Sequence, residues 1–338
     1  MDTAQIDPCP PVPVDTGVIV IGRNEGERLV RCFESVRRVA STIVYVDSGS
    51  TDDSIKVARE FGVVVVELDM AKPFTAGRAR NVGFECLMRV APSTSWVQFI
   101  DGDCELIDTW MDQARAFLHE HPTAAFACGG LRERFPERSV YNRIADHGIS
   151  RHNEPILACG GIFMARCSAF AAQHGFRDDL FVGEERELCR RLRKDGWQIW
   201  RLSQPMAWHD LNMTHFGQWW RRTKRTGFAY AQGVHLFSRD DPTVGRQVLR
   251  AICWAGVLPL AVLIGLILVG PAALALVLLY PIQVVRTALS LSGSPRHRLL
   301  SAAFMTLGKF PEFLGQLQFW TSREPVSHAR SYDKARAP

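Results

Sequence analysis

Short apolar runs recur through the N-terminal part of the chain, at Val18–Ile21, Ile43–Asp47, Val63–Leu68 and Trp96–Asp101. Between them lie segments with apolar residues at helical spacing, Glu27–Val39, Asp52–Phe61 and Gly77–Val90. Apolar, β-branched runs of this kind are strands covered on both faces, and a helix between two strands returns the chain so that the next strand runs parallel. The alternation therefore predicts an α/β fold with a doubly wound, mostly parallel sheet. Ligands of such sheets bind beyond the carboxyl ends of the strands, so the residues that close each run are the first to inspect. After Asp103 the pattern loosens: Leu157–Ala165 and Trp197–Leu202 read as strands, Glu185–Lys194 and His215–Phe237 as helices.

The fourth run ends in Asp101-Gly102-Asp103. Two carboxylates at a sheet edge suit a hard divalent cation. Mg²⁺ takes one or two protein carboxylates and completes its shell with water and phosphate oxygens, which implies a metal-bound diphosphate. Asp-Gly is also ordinary turn chemistry. The first run opens into Gly22-Arg23-Asn24-Glu25-Gly26, a polar loop that can hold a ligand or cap a helix. Asp47 closes the second run, where a carboxylate can accept hydrogen bonds from a nucleobase or ribose, and Asp52 is placed to cap the next helix. Arg78 and Arg80 begin a helix at an end suited to phosphate, or form a solvated basic turn. In Gly183-Glu184-Glu185-Arg186-Glu187, mutual repulsion of three carboxylates raises at least one pKa, which suits a general base. Acids at a helix start also simply complement its dipole.

Together these segments resemble family 2 glycosyltransferases of the GT-A fold, over about 17–237. The resemblance lies in their order: Arg23-Asn24-Glu25, Val46-Asp47-Ser48-Gly49-Ser50-Thr51-Asp52, Ala79-Arg80-Asn81-Val82-Gly83, Asp101-Gly102-Asp103, Gly160-Gly161 and Gly183-Glu184-Glu185. It implies that Arg23, Glu25, Asp47 and Arg80, with Arg78 beside them, line a nucleotide-sugar pocket. It further implies that Asp101 and Asp103 hold Mg²⁺ or Mn²⁺ on the diphosphate. Gly160-Gly161 resembles the floor beneath donor sugar and acceptor, and His209 a late histidine that binds metal or diphosphate. One departure is Glu185, with Glu184 before it, where the family usually has Glu-Asp; the carboxylate of the base is kept on a longer side chain. Gln218-Trp219-Trp220-Arg221-Arg222 partly resembles the Gln-x-x-Arg-Trp element of processive polysaccharide synthases, with arginine in place of the last tryptophan.

No charged residue occurs between Arg250 and Arg286. A membrane-spanning helix needs roughly 20 apolar residues, so this stretch predicts a transmembrane helical hairpin over 247–290 that breaks at Gly270-Pro271. Arg246 and Arg250 precede it, and Arg286, Arg296, Arg298 and Lys309 follow. Positive charge at both ends places both on the cytoplasmic side of the inner membrane. The expected organisation is a disordered lead-in (1–15), a catalytic domain (16–240), the hairpin, and an interfacial helix with a polar tail (296–338). The nine cysteines show no paired short spacing, which fits a reducing compartment without zinc or disulfides. The net charge of +5 gathers near Arg221-Arg222-Thr223-Lys224-Arg225 and the hairpin, where anionic lipid is the expected partner and nucleic acid is not.

The sequence thus predicts an inverting, metal-dependent glycosyltransferase. It would move sugar from a nucleotide-sugar donor to a lipid-linked or other membrane-associated glycan acceptor, as in exopolysaccharide or cell-envelope assembly. The competing readings are a processive synthase and a non-catalytic membrane-anchored nucleotide-binding protein. A nicotinamide-dependent dehydrogenase is disfavoured because Gly22–Gly26 lacks the G-x-G-x-x-G spacing.

Overall fold

The computed structural model describes residues 15–146, 148–237 and 242–322. The expected lead-in, apart from Asp15, and the end of the polar tail lie outside the described residues. The described chain forms two units, one of 15–134 and 148–210, the other of 135–146 and 211–322. Helix Phe216–Phe237, which the sequence joins to the catalytic domain, groups with the second unit.

In the first unit, β1 (Thr16–Gly22), α1 (Glu27–Val36), β2 (Thr42–Asp47), α2 (Ser54–Glu60), β3 (Val64–Glu67), α3 (Ala76–Val90) and β4 (Trp96–Asp101) follow the alternation read from the sequence. Then come β5 (Cys104–Leu106), α4 (Trp110–Glu120), β6 (Ala124–Glu133), β7 (Glu154–Pro155), β8 (Phe163–Arg166) and β9 (Gln198–His209). The sheet order is β3-β2-β1-β4-β8-β6-β9-β5, with β7 on β9. Strands β3, β2, β1 and β4 are parallel; β8 runs antiparallel to β4 and β6, and β5 antiparallel to β9. The sheet is therefore mixed, parallel where the sequence alternates and, beyond Asp103, antiparallel apart from the long parallel β6–β9 ladder.

Register decides where the strand ends fall. Gly22 pairs with Asp47, and Ile21 with Asp101, so three loops leave the same edge at the same height. Beneath them Phe99, Phe126, Phe163, Phe170 and Phe176 pack with ring centroids 4.6 to 6.3 Å apart. Full burial of each such ring contributes on the order of 2–3 kcal/mol of apolar transfer. The expected strand Leu157–Ala165 is extended only from Phe163. Strand β6 and helix α4 had no sequence forecast, because Ala124-Ala125-Phe126-Ala127-Cys128-Gly129-Gly130 lacks β-branched residues. It becomes a strand through its pairing with β8 and β9, an instance of tertiary context overriding propensity.

The second unit is helical. Two of its helices, Thr243–Leu268 and Pro271–Ser290, are long and apolar enough to cross a membrane, with mean hydropathies of 2.5 and 1.8 and almost no burial within the chain. Gly270, at φ 81°, makes the expected break between them. A π-helical turn, Ile252–Val257, interrupts the first helix, and there Leu258 N donates to Cys253 O, five residues back. Continued by one residue, that register would have residue 259 donate to Trp254 O, but Pro259 has no N–H. The Tyr280 hydroxyl donates to Trp254 O instead, at 2.7 Å, and so joins the two helices. Helix Lys309–Thr321 crosses helix Phe216–Phe237 at two glycines: a Cβ on Gly227 would strike the Glu312 backbone, and one on Gly315 the Lys224 carbonyl.

Replacing Tyr280 with phenylalanine leaves the Trp254 carbonyl without its donor and should cost about 1 kcal/mol. Thermal unfolding of the detergent-solubilised chain reads this as a lower midpoint; an unchanged midpoint contradicts the bridging role.

Candidate functional site

Two clusters of side chains lie at the carboxyl edge of the sheet, one on each side of Gly102. The first is made by the β5–β9 ladder, in which Cys104 is paired with His209 and Asp210 N donates to Asp103 O at 3.0 Å. His209 Nε2 then stands 3.3 Å from Asp103 Oδ2. The ligand atoms of Asp103, Cys104 and His209 all lie within 4.8 Å of one another. Burial by itself raises the Asp103 carboxyl, but the His209 hydrogen bond and charge, with the charge of Arg28, outweigh it and hold the group at about 2. Asp103 is thus an anion in the free protein, poised for a cation. Burial pushes the Cys104 thiol well up, and it donates to Asp103 Oδ1 at 3.4 Å. Behind the cluster Arg31 bridges Glu105 at 3.0 Å and Asp210 at 2.9 Å.

The second cluster is centred on Arg80, which α3 carries into the interior. Its Nη2 donates to Asp101 at 3.0 Å, and its Nη1 to Glu184 and Glu185 at 3.3 Å each. The two glutamates open the helix Glu184–Lys194 behind Gly183, whose φ of 81° suits glycine. A Cβ on Gly161 would collide with Arg80 Nη2 and come within 3.3 Å of Glu185, so this glycine is what lets the loop before β8 lie against the cluster. Burial, then repulsion from Glu185, drives the Glu184 carboxyl up to about 8 against the pull of Arg80. Burial opposes the charge on Arg80 too, yet Asp101, Glu185 and Glu184 raise its pKa overall.

The two aspartates of Asp101-Gly102-Asp103 therefore face different partners. The sequence placed Asp101, Asp103 and His209 on one ion; the group whose ligand atoms converge, among the described residues, holds Cys104 and not Asp101. Only the β5–β9 register brings Cys104 to His209, and no sequence spacing signals that pairing.

The remaining expected residues mostly shape loops. Asp47, 1% exposed, accepts from Tyr45 Oη at 3.0 Å, Gly49 N at 2.9 Å and Ser50 N at 2.8 Å. Its carboxylate thus folds the loop after β2. The Arg78 guanidinium donates to the carbonyls of Asp69, Lys72 and Pro73 and so pins the segment before α3. Arg23 is half-buried in the loop after β1. Glu25 is buried, paired with Arg28 at 2.7 Å, and lies under Gly102. Asn24, quoted only as part of a motif, joins two loops: its Oδ1 accepts from Thr51 N at 2.7 Å and its N–H donates to Ser50 Oγ at 3.0 Å.

Residues 17–174 match the family described as glycosyl transferase family 2. The chain carries a family 2 glycosyltransferase domain. Among curated proteins, a TPR repeat-containing protein of Synechococcus elongatus is 30% identical over 127 residues, 37% of this chain and 29% of that protein. An uncharacterized glycosyltransferase of Rickettsia felis is 28% identical over 102 residues, 30% of this chain and 33% of that protein. The glycosyltransferase match thus spans about a third of those relatives' length. Among solved structures, the mannosyltransferase PcManGT of Pyrobaculum calidifontis, in complex with GDP-Man and Mn²⁺, superposes with a TM-score of 0.55 at 14% identity. The superposition covers 92% of this chain and 88% of that one and is a likeness of fold.

Glu184 makes the site's acid–base balance measurable. Its carboxyl keeps a proton to about pH 8 in the folded chain and to about 4.5 when unfolded. The stability it contributes is therefore complete below about pH 4.5 and is lost as pH rises to about 8. Asp103 acts in the opposite sense, losing its contribution as pH falls from 3.8 toward 2. The melting temperature of metal-free protein should fall between pH 5 and 8, and Glu184→Gln should flatten that slope; an identical slope in the variant places the titration elsewhere.

Proposed function

We propose that this protein is an inverting, metal-dependent glycosyltransferase that adds one sugar from a nucleotide-sugar donor to a membrane-associated, lipid-linked glycan acceptor. The observation that carries the reading is the pairing, on one strand edge, of a cation-ready Asp103–His209 pair with a base-ready Glu184–Glu185 pair. The family 2 domain and the fold shared with a GDP-Man- and Mn²⁺-bound mannosyltransferase support it.

The donors fit a divalent ion: an ionised carboxylate and an imidazole converge, and the carboxylate is held in the anionic form. Asp103 and His209 would hold Mg²⁺ or Mn²⁺, with Asp101 adjacent, and the bound ion would neutralise the diphosphate that leaves. The Glu185 carboxylate accepts the proton of the acceptor hydroxyl. The hydroxyl oxygen forms the new bond to the anomeric carbon as the carbon–phosphate oxygen bond breaks on the opposite face. Glu184, neutral below about pH 8, adds no second negative charge beside the base. Arg23, Glu25 and the loops shaped by Asp47 and Arg78 form the donor side.

Localisation at the cytoplasmic face of the inner membrane is supported by the two candidate spans and by basic residues at both ends of the apolar stretch. In the second unit, Gln218 Oε1 accepts from Thr214 N at 2.7 Å and His215 N at 3.0 Å. The glutamine of the synthase-like element thus caps its own helix, which favours single addition over processive synthesis.

In assays of donor turnover with Mn²⁺, Asp103→Ala should lose metal-dependent activity at least about a hundredfold, and full activity would overturn the metal assignment. Glu185→Gln should lower kcat by about 10²–10⁴ while the donor KM stays nearly constant. Loss of donor binding in that variant would instead mark Glu185 as structural.

A further inference from the structure

Arg80 is 3% exposed, and carboxylates occupy both terminal nitrogens of its guanidinium. Nη2 meets Asp101 from β4, and Nη1 meets Glu184 and Glu185 from the helix Glu184–Lys194. Among the described residues its buried Nε has no hydrogen-bond partner, so the hydrogen bonds that aim the fork are those to the carboxylates at its tip. The Phe176 ring lies 5.7 Å from the guanidinium, and Gly161 leaves room where a Cβ would collide with Nη2. One side chain therefore ties three separate elements together at the site. A planar fork can do this; the compact charge of a lysine can satisfy one end only.

The geometry points to Arg80 as the positioning residue of the base, fixing Glu185 relative to Asp101, and not as a ligand of the leaving diphosphate. The inference rests on the glycosyl-transfer reading and gives one of its residues a different task from the phosphate contact expected of it. Asp101 and Glu185 compete for a single guanidinium. Anything that engages the Asp101 carboxylate therefore acts on the same guanidinium that holds Glu185. Among the described residues, the titratable and charged groups near the Glu185 carboxylate include Arg80 from α3, Glu184 from its own helix, and Cys159 from the loop before Gly160.

The test is steady-state kinetics of the full chain in detergent, with nucleotide sugar and Mn²⁺, for wild type, Arg80→Lys and Arg80→Gln. Calorimetric titration with Mn²⁺ alone runs in parallel. A positioning role predicts a kcat about thirtyfold lower or less, a donor KM within about threefold of wild type, and Mn²⁺ affinity unchanged. Guanidinium ion at millimolar concentration should restore part of the Arg80→Gln activity. A donor KM about tenfold higher with kcat unchanged would make Arg80 a donor ligand and overturn the inference, as would wild-type kinetics in both variants. If Arg80→Gln fails to fold, the Arg80→Lys kinetics decide alone. Wild-type protein that binds Mn²⁺ but turns over no nucleotide sugar overturns the glycosyl-transfer reading itself, and does so before any variant is compared.

Discussion

A guanidinium kept from water must be balanced by carboxylates or it unfolds its surroundings, and at Arg80 that demand organises the whole site. Three acids answer it, from the end of β4 and the start of the helix Glu184–Lys194, and Gly161 yields space for the contact. Three carboxylates exceed what one cation can neutralise. The surplus is relieved in the most buried of them, Glu184, which keeps its proton to about pH 8. Beside the same arginine the site thus holds a buried, neutral Glu184 and a more exposed Glu185.

The Asp103 cluster solves a different electrostatic problem. Here a buried carboxylate is held ionised, near 2, by a histidine that the β5–β9 ladder sets opposite it. One glycine separates Asp101, paired with Arg80, from the more buried Asp103, set beside His209. That division of labour follows from the sheet: β4 ends at Asp101, the chain turns at Gly102, and β5 starts at Cys104 on the far side of the sheet order.

In the second unit the controlling constraint is backbone hydrogen-bond satisfaction beside a proline. Pro259 removes a donor in the middle of an apolar helix, the helix widens to a π turn before it, and Tyr280 supplies the missing hydrogen bond from the neighbouring helix. Gly227 and Gly315 allow helices Phe216–Phe237 and Lys309–Thr321 to approach backbone to backbone. In both places the unusual residue and its compensation lie in different helices.

Local chemistry made much of this legible from the chain alone. The apolar runs specified β1 to β4, and parallel pairing then carried Gly22, Asp47 and Asp101 to one edge. The charge-free stretch specified two long apolar helices, and Gly270 the break between them. Tertiary structure decided what local pattern does not encode. It made a strand of the alanine- and glycine-rich β6, turned Asp47 and Arg78 inward to hold their own loops, separated Asp101 from Asp103, and set Cys104 against His209. The physical reason is range: hydrophobic period and backbone propensity act over a few residues, whereas the partner of a buried charge is chosen by whichever distant strand or helix the packed sheet brings within about 3 Å.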